Sequence, residues 1–374
     1  MTKTRITVLV SNDLVHDQRV RKECDVFHKN GLDVTLVGRQ IDTLVPLNRP
    51  YSTKRFKLPF SSGALFYAAL NIRLFFFLLN HKTDAIWAND LDTLWPAYLI
   101  AKWRKIPVFY DSHEYFTEAA GLAGRSFPKK VWEWIEGRIF PHLPYVYTVN
   151  ESIADVYRKK YHAKVSVVRN VPELRPVEQV LSRKELNLPE NKKIVILQGA
   201  FMDKDRGVIE AVHAMKELDD NYLLLLIGAG EEWNAAVNLR IELGLESKIQ
   251  MLPKQPYDTL VNYTRTADVG LSLDKGLYFN YYFSLPNKLF DYVHATTPVI
   301  ATALPEVKRV MESYQLGQVV EESTPQAIAS AIVAVCNRPI DDFLPGIKKA
   351  QKDFQWQKES GVILKDLKLA GLIN

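Results

Sequence analysis

Cysteine is nearly absent: the 374 residues hold two, Cys24 and Cys336. Thiols so far apart match neither a metal-ligand spacing nor a disulfide framework, and a reducing cytoplasm is the expected compartment. No signal-peptide pattern is read at the start, because MTKTRITVLVSNDL runs straight into a strand pattern. The most apolar stretch, residues 64–79, is short for a membrane span, and Asn71 and Arg73 interrupt it. It is expected as a buried helix packed on a sheet, with membrane-surface contact by part of it left open. No strand pattern leads into a complete G-x-G-x-x-G, which disfavours a dehydrogenase. No basic run with interleaved stacking residues stands out, so no nucleic acid is expected as a partner. Short repeats and low-complexity tracts are also lacking.

What is present is ordinary for a globular chain: 47% hydrophobic and 24% charged residues. The length exceeds one ordinary core and suggests two domains of similar size. Charge is uneven, with 26 Lys and Arg against 17 Asp and Glu in residues 1–175, and 22 against 26 in the remainder. A basic first half suits an anionic partner such as a phospholipid head group or a lipid-linked phosphate. A merely solvated basic face explains the same numbers.

Short β-rich runs alternate with helix-length segments. Strands are expected at 5–10, 33–38, 85–88, 107–110, 146–149 and 165–168, with a helix over 18–30 closed by Gly31. Residues 171–189 are polar and proline-marked and read as a linker. The pattern restarts with strands at 194–197, 222–227, 249–252, 268–273 and 298–301 and a helix over 327–336. This predicts α/β architecture: two Rossmann-like halves in tandem, each with a parallel sheet covered on both faces. The assigned domains are 1–175, 176–345 and a C-terminal helical segment, 346–374, with the option that this segment packs back on the first domain.

In such sheets ligands bind outside the carboxyl ends of the strands, and two facing sheets make a cleft lined by those loops. The first loop carries Asn12, Asp13, Asp17 and Arg19. Asp17 can cap the following helix with Arg19 pointing outward; the functional alternative puts Asn12, Asp13 and Arg19 on the cleft floor. Asn89-Asp90-Leu91-Asp92 contains a D-x-D. Asp92 reads there as an ordinary N-terminal carboxylate of a helix, and no metal is expected. Asp111-Ser112-His113-Glu114 places three ionisable groups within four residues of a strand end, which favours a cleft position for His113 and Glu114. In the second half, Gly199 begins a loop that reaches Arg206-Gly207 before a helix, the composition of an anion site. A pairing of Arg206 with Asp203 or Asp205 is the plainer reading. Gly228-Ala229-Gly230 shows a tight turn and little more.

The segment SLPNKLFDY, residues 284–292, reads as the first turns of a helix. Leu285 and Leu289 face the core, Ser284 can cap and Pro286 is tolerated in a first turn. Asn287 and Asp291 share another face, with Lys288 beside them. A cation at a helix start is unfavourable unless an anion joins it. A diphosphate would meet that need, with Asp291 accepting from ribose hydroxyls. A surface Lys288–Asp291 pair, at a few tenths of a kcal/mol, is the modest alternative.

Taken in order, these features resemble the retaining glycosyltransferases of family 4, the group 1 glycosyl transferases, whose GT-B fold sets two Rossmann-like domains facing across a cleft. The resemblance runs through Asp17–Arg19, NDLDTL at 89–94, YDSHEYFTE at 110–118, Gly199 to Gly207, Gly228-x-Gly230 and SLPNKLFDY followed by TPVIAT at 297–302. It implies that His113 stands beside the donor sugar, that Arg206 and Lys288 contact the diphosphate, and that Asp291 is the ribose acid of an E-x7-E motif. Two positions depart from the pattern. Phe283 stands where the first acid of that motif falls, leaving the sugar hydroxyls to Asp274 or to backbone. Ala200 stands where the family often has arginine.

The resulting expectation is a metal-independent retaining transfer of a sugar, UDP-linked first and GDP-linked second, to a glycan or lipid-linked acceptor in cell-surface polysaccharide or glycolipid synthesis. Catalysis is assigned to His113, Arg206 and Lys288. Donor binding falls to Gly199, Arg206, Ser284, Asn287, Lys288 and Asp291, and the acceptor side to Asn12, Asp13, Arg19, Asp90 and Glu114. No cofactor is expected, and the location is cytoplasmic, with the inner face of the membrane as an option. A binding protein on the same shell and a sugar-nucleotide epimerase are the alternatives.

Overall fold

The computed structural model describes residues 3–15, 17–41, 46–118, 122, 125–173, 179–200 and 202–374. Two compact units emerge, Met1–Asn170 with Glu359–Asn374, and Val171–Lys358. The division therefore falls after residue 170, and the segment assigned to 346–374 splits at Lys358. Part of the linker stretch, residues 174–178, lies outside the described residues, as do His16 and Phe201.

The strands of the first unit are β1 (Arg5–Asp13), β2 (Asp33–Arg39), β3 (Ser52–Phe56), β4 (Ala85–Asn89), β5 (Val108–Ser112), β6 (Tyr145–Thr148) and β7 (Ser166–Val167). Its helices are α1 (Gln18–Lys29), α2 (Gly63–Asn80), α3 (Leu91–Arg104), α4 (Ser126–Ile139) and α5 (Glu151–Tyr161). The strands pair in parallel in the order β3-β2-β1-β4-β5-β6-β7. Both faces are covered, and β4 is buried at every residue. Trp87 at its centre stacks on Phe109 at 5.5 Å and Tyr147 at 5.1 Å between centroids.

The second unit holds β8 (Lys193–Gly199), β9 (Tyr222–Gly228), β10 (Ile249–Leu252), β11 (Val269–Ser272), β12 (Val299–Thr302) and β13 (Gly317–Val320). Its helices are α6 (Val208–Ala214), α7 (Trp233–Glu242), α8 (Tyr257–Thr266), α9 (Phe279–Tyr282), α10 (Asn287–Ala295), α11 (Pro305–Tyr314), α12 (Pro325–Cys336) and α13 (Leu344–Asp353). Its sheet is again parallel, in the order β10-β9-β8-β11-β12-β13. The last helix, α14 (Trp356–Leu369), is tied to the first unit from Glu359 onward. Arg169 Nη1 lies 3.0 Å from Glu359 Oε1, and Tyr147 Oη donates to Asp366 Oδ2 at 2.9 Å.

Two expectations are corrected, and two strands lie where none was expected. The strands β3 and β13 were not read from the sequence: STKRF is mostly exposed at a sheet edge and GQVV has one buried residue, so neither carries an apolar run. Helix α10 starts at Asn287 with Pro286 at its N-cap, so Ser284 caps nothing. Helix α2 is not buried all round. Phe66, Leu70, Leu74 and Leu78 face the core, while Leu65, Ile72 and Phe76 are exposed.

Candidate active site

Each sheet reverses its strand order once, between β1 and β4 and between β8 and β11. Those reversal points open the crevices that hold ligands in open α/β sheets. The candidate residues collect at both.

In the first unit, helix α1 brings Arg19 under the ends of β4 and β5. Asp17 caps that helix by accepting from the Val20 amide at 3.1 Å. Arg19 points inward, not to solvent. Its Nε and Nη2 donate to the two oxygens of Asp111 at 2.8 Å each, and Nη1 donates to the Val168 carbonyl at 2.8 Å. Glu23, one turn on, lies 3.2 Å from Arg19 Nε and is fully buried. Burial pushes the Glu23 carboxyl well above its ordinary range and Asp111 adds to this. Burial works the same way on Asp111, but Arg19 and His113 outweigh it and hold that carboxyl low. The two acids are thus driven in opposite directions, Glu23 toward its neutral form and Asp111 toward its charged form.

His113 sits on this pair. Its Nε2 is 3.2 Å from Asp111 Oδ2 and 3.1 Å from Asn89 Oδ1, and its Nδ1 is 3.4 Å from Asp90 Oδ2. Its amide donates to Asp90 Oδ1 at 2.9 Å. Burial disfavours the imidazolium, but Asp90 and Asp111 overcome it and raise the ring to about 10. His113 is thus a fixed cation with its side chain 19% exposed. Asp90 holds a φ of 58°, a left-handed conformation costly for a residue with a Cβ. Burial, with Asp90 beside it, raises Glu114 to about 7. Asp92 is no ordinary helix-end carboxylate: it is buried, and burial raises it to about 7 as well.

Asp13 is buried, taking the amides of Val15 at 3.0 Å and Ile41 at 2.7 Å, so it shapes the first loop. Asn12 is exposed and its Nδ2 donates to Asp17 Oδ2 at 3.4 Å. Of the five acceptor-side residues, Asn12, Asp90 and Glu114 retain accessible surface, while Asp13 and Arg19 lie inside the fold. Donor atoms of Glu23, Asp111 and His113 lie within 4.8 Å of one another, close enough to hold a metal ion. Arg19 already supplies the positive charge between the two acids there.

In the second unit, Arg206 and Lys288 meet at one carboxylate. Arg206 Nη1 donates to Asp274 Oδ1 at 2.6 Å, and Lys288 Nζ is 3.1 Å from Asp274 Oδ2. Neither the Asp203 or Asp205 partner for Arg206 nor the Asp291 partner for Lys288 is the one found. Asp274 follows β11 and is buried, while Arg206 and Lys288 keep 29% and 12% of their side chains exposed. Burial opposes ionisation of Asp274, but Lys288 and Arg206 hold it below its usual value. Two cations on one anion leave a net positive charge at the switch point.

The loop that delivers Arg206 depends on Gly207. Its φ is 74°, and a Cβ there would come within 2.3 Å of Leu273 Cβ and 2.6 Å of the Leu273 carbonyl. Glycine lets the loop lie flat on the end of β11. The Lys275 amide then donates to the Asp205 carbonyl at 2.7 Å. Gly199 closes β8 beside this loop. The residue before it, Gln198, donates from Nε2 to Asp291 Oδ2 at 3.3 Å and accepts from Thr264 Oγ1 at 2.7 Å. Asn287 is exposed on the first turn of α10. Ser284 Oγ is buried with no hydrogen-bond partner. Asp111, Asn89 and Glu23 are the participants not chosen from sequence, and Asp274, raised there for the sugar hydroxyls, is found holding Arg206 and Lys288. Of those three, only Glu23 was hinted at, by its i,i+4 spacing from Arg19.

Residues 18–172 match the family model of Glycosyltransferase Family 4, and residues 179–351 match that of Glycosyl transferases group 1. The chain belongs to the group 1 glycosyltransferases. Solved structures place this glycosyltransferase in the GT-B fold. Sucrose-phosphate synthase from Thermosynechococcus elongatus superposes with a TM-score of 0.77 at 18% identity, over 98% of this chain and 100% of that one. Anabaena HepE in complex with UDP gives 0.73 at 13% identity, over 98% and 99%. WaaG, a glycosyltransferase involved in lipopolysaccharide biosynthesis, gives 0.69 at 16% identity over 99% of each chain. No curated protein matches the glycosyltransferase.

Proposed function

We propose that this glycosyltransferase moves a hexosyl group from a nucleotide sugar to a glycan or lipid-linked acceptor with retention of configuration and without a metal. The donor is UDP-linked first and GDP-linked second. The pathway is cell-surface polysaccharide or glycolipid synthesis, in the cytoplasm at the inner face of the membrane. The carrying observation is the pair Arg206 and Lys288 on Asp274, at the strand reversal of the second sheet. HepE, of the same fold, binds UDP and UDP-glucose.

In the reaction the bond from the sugar's anomeric carbon to the diphosphate oxygen breaks. Charge develops on that oxygen, and Arg206 and Lys288 neutralise it. The acceptor hydroxyl attacks on the same face and its proton passes to the departing phosphate oxygen. No carboxylate base is required. The triad's one net positive charge stands in for part of the charge a divalent ion would bring. Asp291 is poised by Gln198 for ribose hydroxyls, and Ser284 Oγ is an unsatisfied donor close by in sequence. His113, held as a cation by Asp90 and Asp111, orients the donor sugar.

A thermal-shift panel of UDP, GDP, ADP, CDP and dTDP and their sugars, each with EDTA, tests the reading. One base should give a clear shift that survives EDTA. At about a hundred times its dissociation constant a ligand adds roughly 2.7 kcal/mol. Arg206→Ala and Lys288→Ala should each lower kcat/KM by about a hundred-fold or more. Near-normal turnover in both would sink the assignment. Phe283 and Ala200 favour one rival, a shell that binds donor without transfer. Slow donor hydrolysis without acceptor would count against that rival.

A further inference from the structure

Helix α2 has two apolar faces. Phe66, Leu70, Leu74 and Leu78, spaced by four, are buried in the first unit. Leu65, Ile72 and Phe76, at spacings of seven and four on the opposite side, are all more than half exposed. It is the one described helix long and apolar enough to cross a membrane, yet its inner stripe is already used by the fold. A helix so used cannot leave the domain without emptying part of the core.

The neighbouring helices repeat the pattern. On α3, Leu99 and Trp103 form an outward i,i+4 pair, with Trp103 67% exposed. On α4, Phe127, Val131 and Trp134 form an outward i,i+4,i+7 stripe, with Phe127 76% exposed. The three helices touch. Asn71 of α2 donates to the Asp92 carbonyl of α3 at 2.9 Å. Tyr67 of α2 meets Trp132 of α4 edge-on at 5.1 Å, and Trp95 of α3 meets Trp134 at 5.5 Å. Contiguous exposed apolar surface of this kind marks an interaction site.

Charge indicates what the site takes. The exposed charged residues on α2, α3 and α4 are Arg73, Lys102, Lys130 and Arg138, all cations. Asp92 and Glu136 are buried, and Glu133 is only partly exposed. Aromatic and aliphatic side chains among cations suit a bilayer interface, where rings enter the head-group layer and cations meet lipid phosphates. We propose that α2, α3 and α4 form a face on which this protein lies on an anionic lipid surface, without spanning it. For its purpose the proposal rests on the lipid-linked acceptor reading, while its observations are independent of that reading. Asn71, beside Ile72 on α2, donates to the carbonyl of Asp92, two residues from Asp90, the partner of His113, so the α2 part of the face lies next to that acceptor-side loop, while Leu99 and Trp103 sit at the far end of α3.

The test is flotation of the full-length protein with vesicles of phosphatidylcholine alone and of phosphatidylcholine with phosphatidylglycerol. Binding is expected to the anionic vesicles only, and to weaken with salt. Lys102→Ala, Lys130→Ala and Arg138→Ala should each weaken it about five-fold. Ile72→Ser with Phe76→Ser, and Phe127→Ser with Trp134→Ser, should abolish it. Thermal shifts with nucleotide sugars should stay as in the parent, which separates failure of this face from failure of the donor site. Equal recovery with both vesicle types at low salt would overturn the proposal. So would a dimer in sedimentation that the Ile72/Phe76 variant dissociates, since the face would then be covered by a second copy.

Discussion

Arg206 Nη1 lies 2.6 Å from Asp274 Oδ1, and the other oxygen of that carboxylate is 3.1 Å from Lys288 Nζ. One buried acid thus gathers two cations, one from the loop before α6 and one from the first turn of α10. Under the proposed function a diphosphate would compete with Asp274 for the same charges. Asp274→Asn keeps the shape and removes the competitor. Its affinity for the preferred nucleoside diphosphate should rise several-fold at low ionic strength, measured by calorimetry, and kcat should fall because the cations are no longer held in register. Weaker binding would show that Asp274 serves the donor in another way.

The Arg19–Asp111 pair is the corresponding element of the first unit, and it separates two neighbouring acids. Arg19→Met leaves Asp111 charged and buried without its main partner. That should cost about 3–5 kcal/mol of unfolding free energy in urea. Burial pushes the Glu23 carboxyl toward its neutral form, so Glu23→Gln should cost about 1 kcal/mol or less. A Glu23→Gln variant as damaged as Arg19→Met would mean that Glu23 is ionised.

His113 should give stability a particular pH dependence. Its folded pKa, about 10, lies above the ordinary value of 6.5. A raised histidine contributes stability that is complete below 6.5 and is lost as pH climbs through 10. The groups facing it are Asp90 and Asp111, which raise it, Arg19, which lowers it, and the neutral Asn89. Glu114, raised to about 7 by burial, acts in the same direction, its contribution being lost as pH rises through 7. The Tm of the parent should therefore decline between pH 7 and 10 by more than that of His113→Gln. Parallel declines would show that the ring is neutral in the fold.

Much of this was legible in the chain because alternating apolar runs and helix-length polar segments leave a parallel α/β sheet as the economical solution. The residues after strand ends, Asp90, His113, Gly199 and Arg206, could be picked out for the same reason. Two features could not. Edge strands such as STKRF bury too little to leave a pattern. Pairings across the fold, Arg19 with Asp111 over 92 positions and Arg206 with Asp274 over 68, are set by strand order and not by spacing. That is why local partners, Asp203, Asp205 and Asp291, were the natural guesses for the two cations.

Gly207 offers the most local test of the donor loop. Its φ of 74° is open to glycine and costly for alanine, and the new methyl would meet Leu273 Cβ at 2.3 Å and the Leu273 carbonyl at 2.6 Å. Backbone cannot yield there as a flexible side chain can, because Leu273 directly follows β11 and the Lys275 amide binds Asp205. Strain of about 1–3 kcal/mol should be relieved by lifting the loop away from the strand end. Arg206 precedes Gly207 and would move with it, out of reach of Asp274. Gly207→Ala should therefore lose donor-induced thermal stabilisation and most of its transfer activity, while its own Tm falls by only a few degrees. The control is Gly244→Ala, where φ is 65° and nothing lies within 4 Å of the new methyl. It shares the backbone cost but touches neither cation, so it should keep donor binding. Equal loss of binding in both variants would assign the effect to general destabilisation and detach Gly207 from the placement of Arg206.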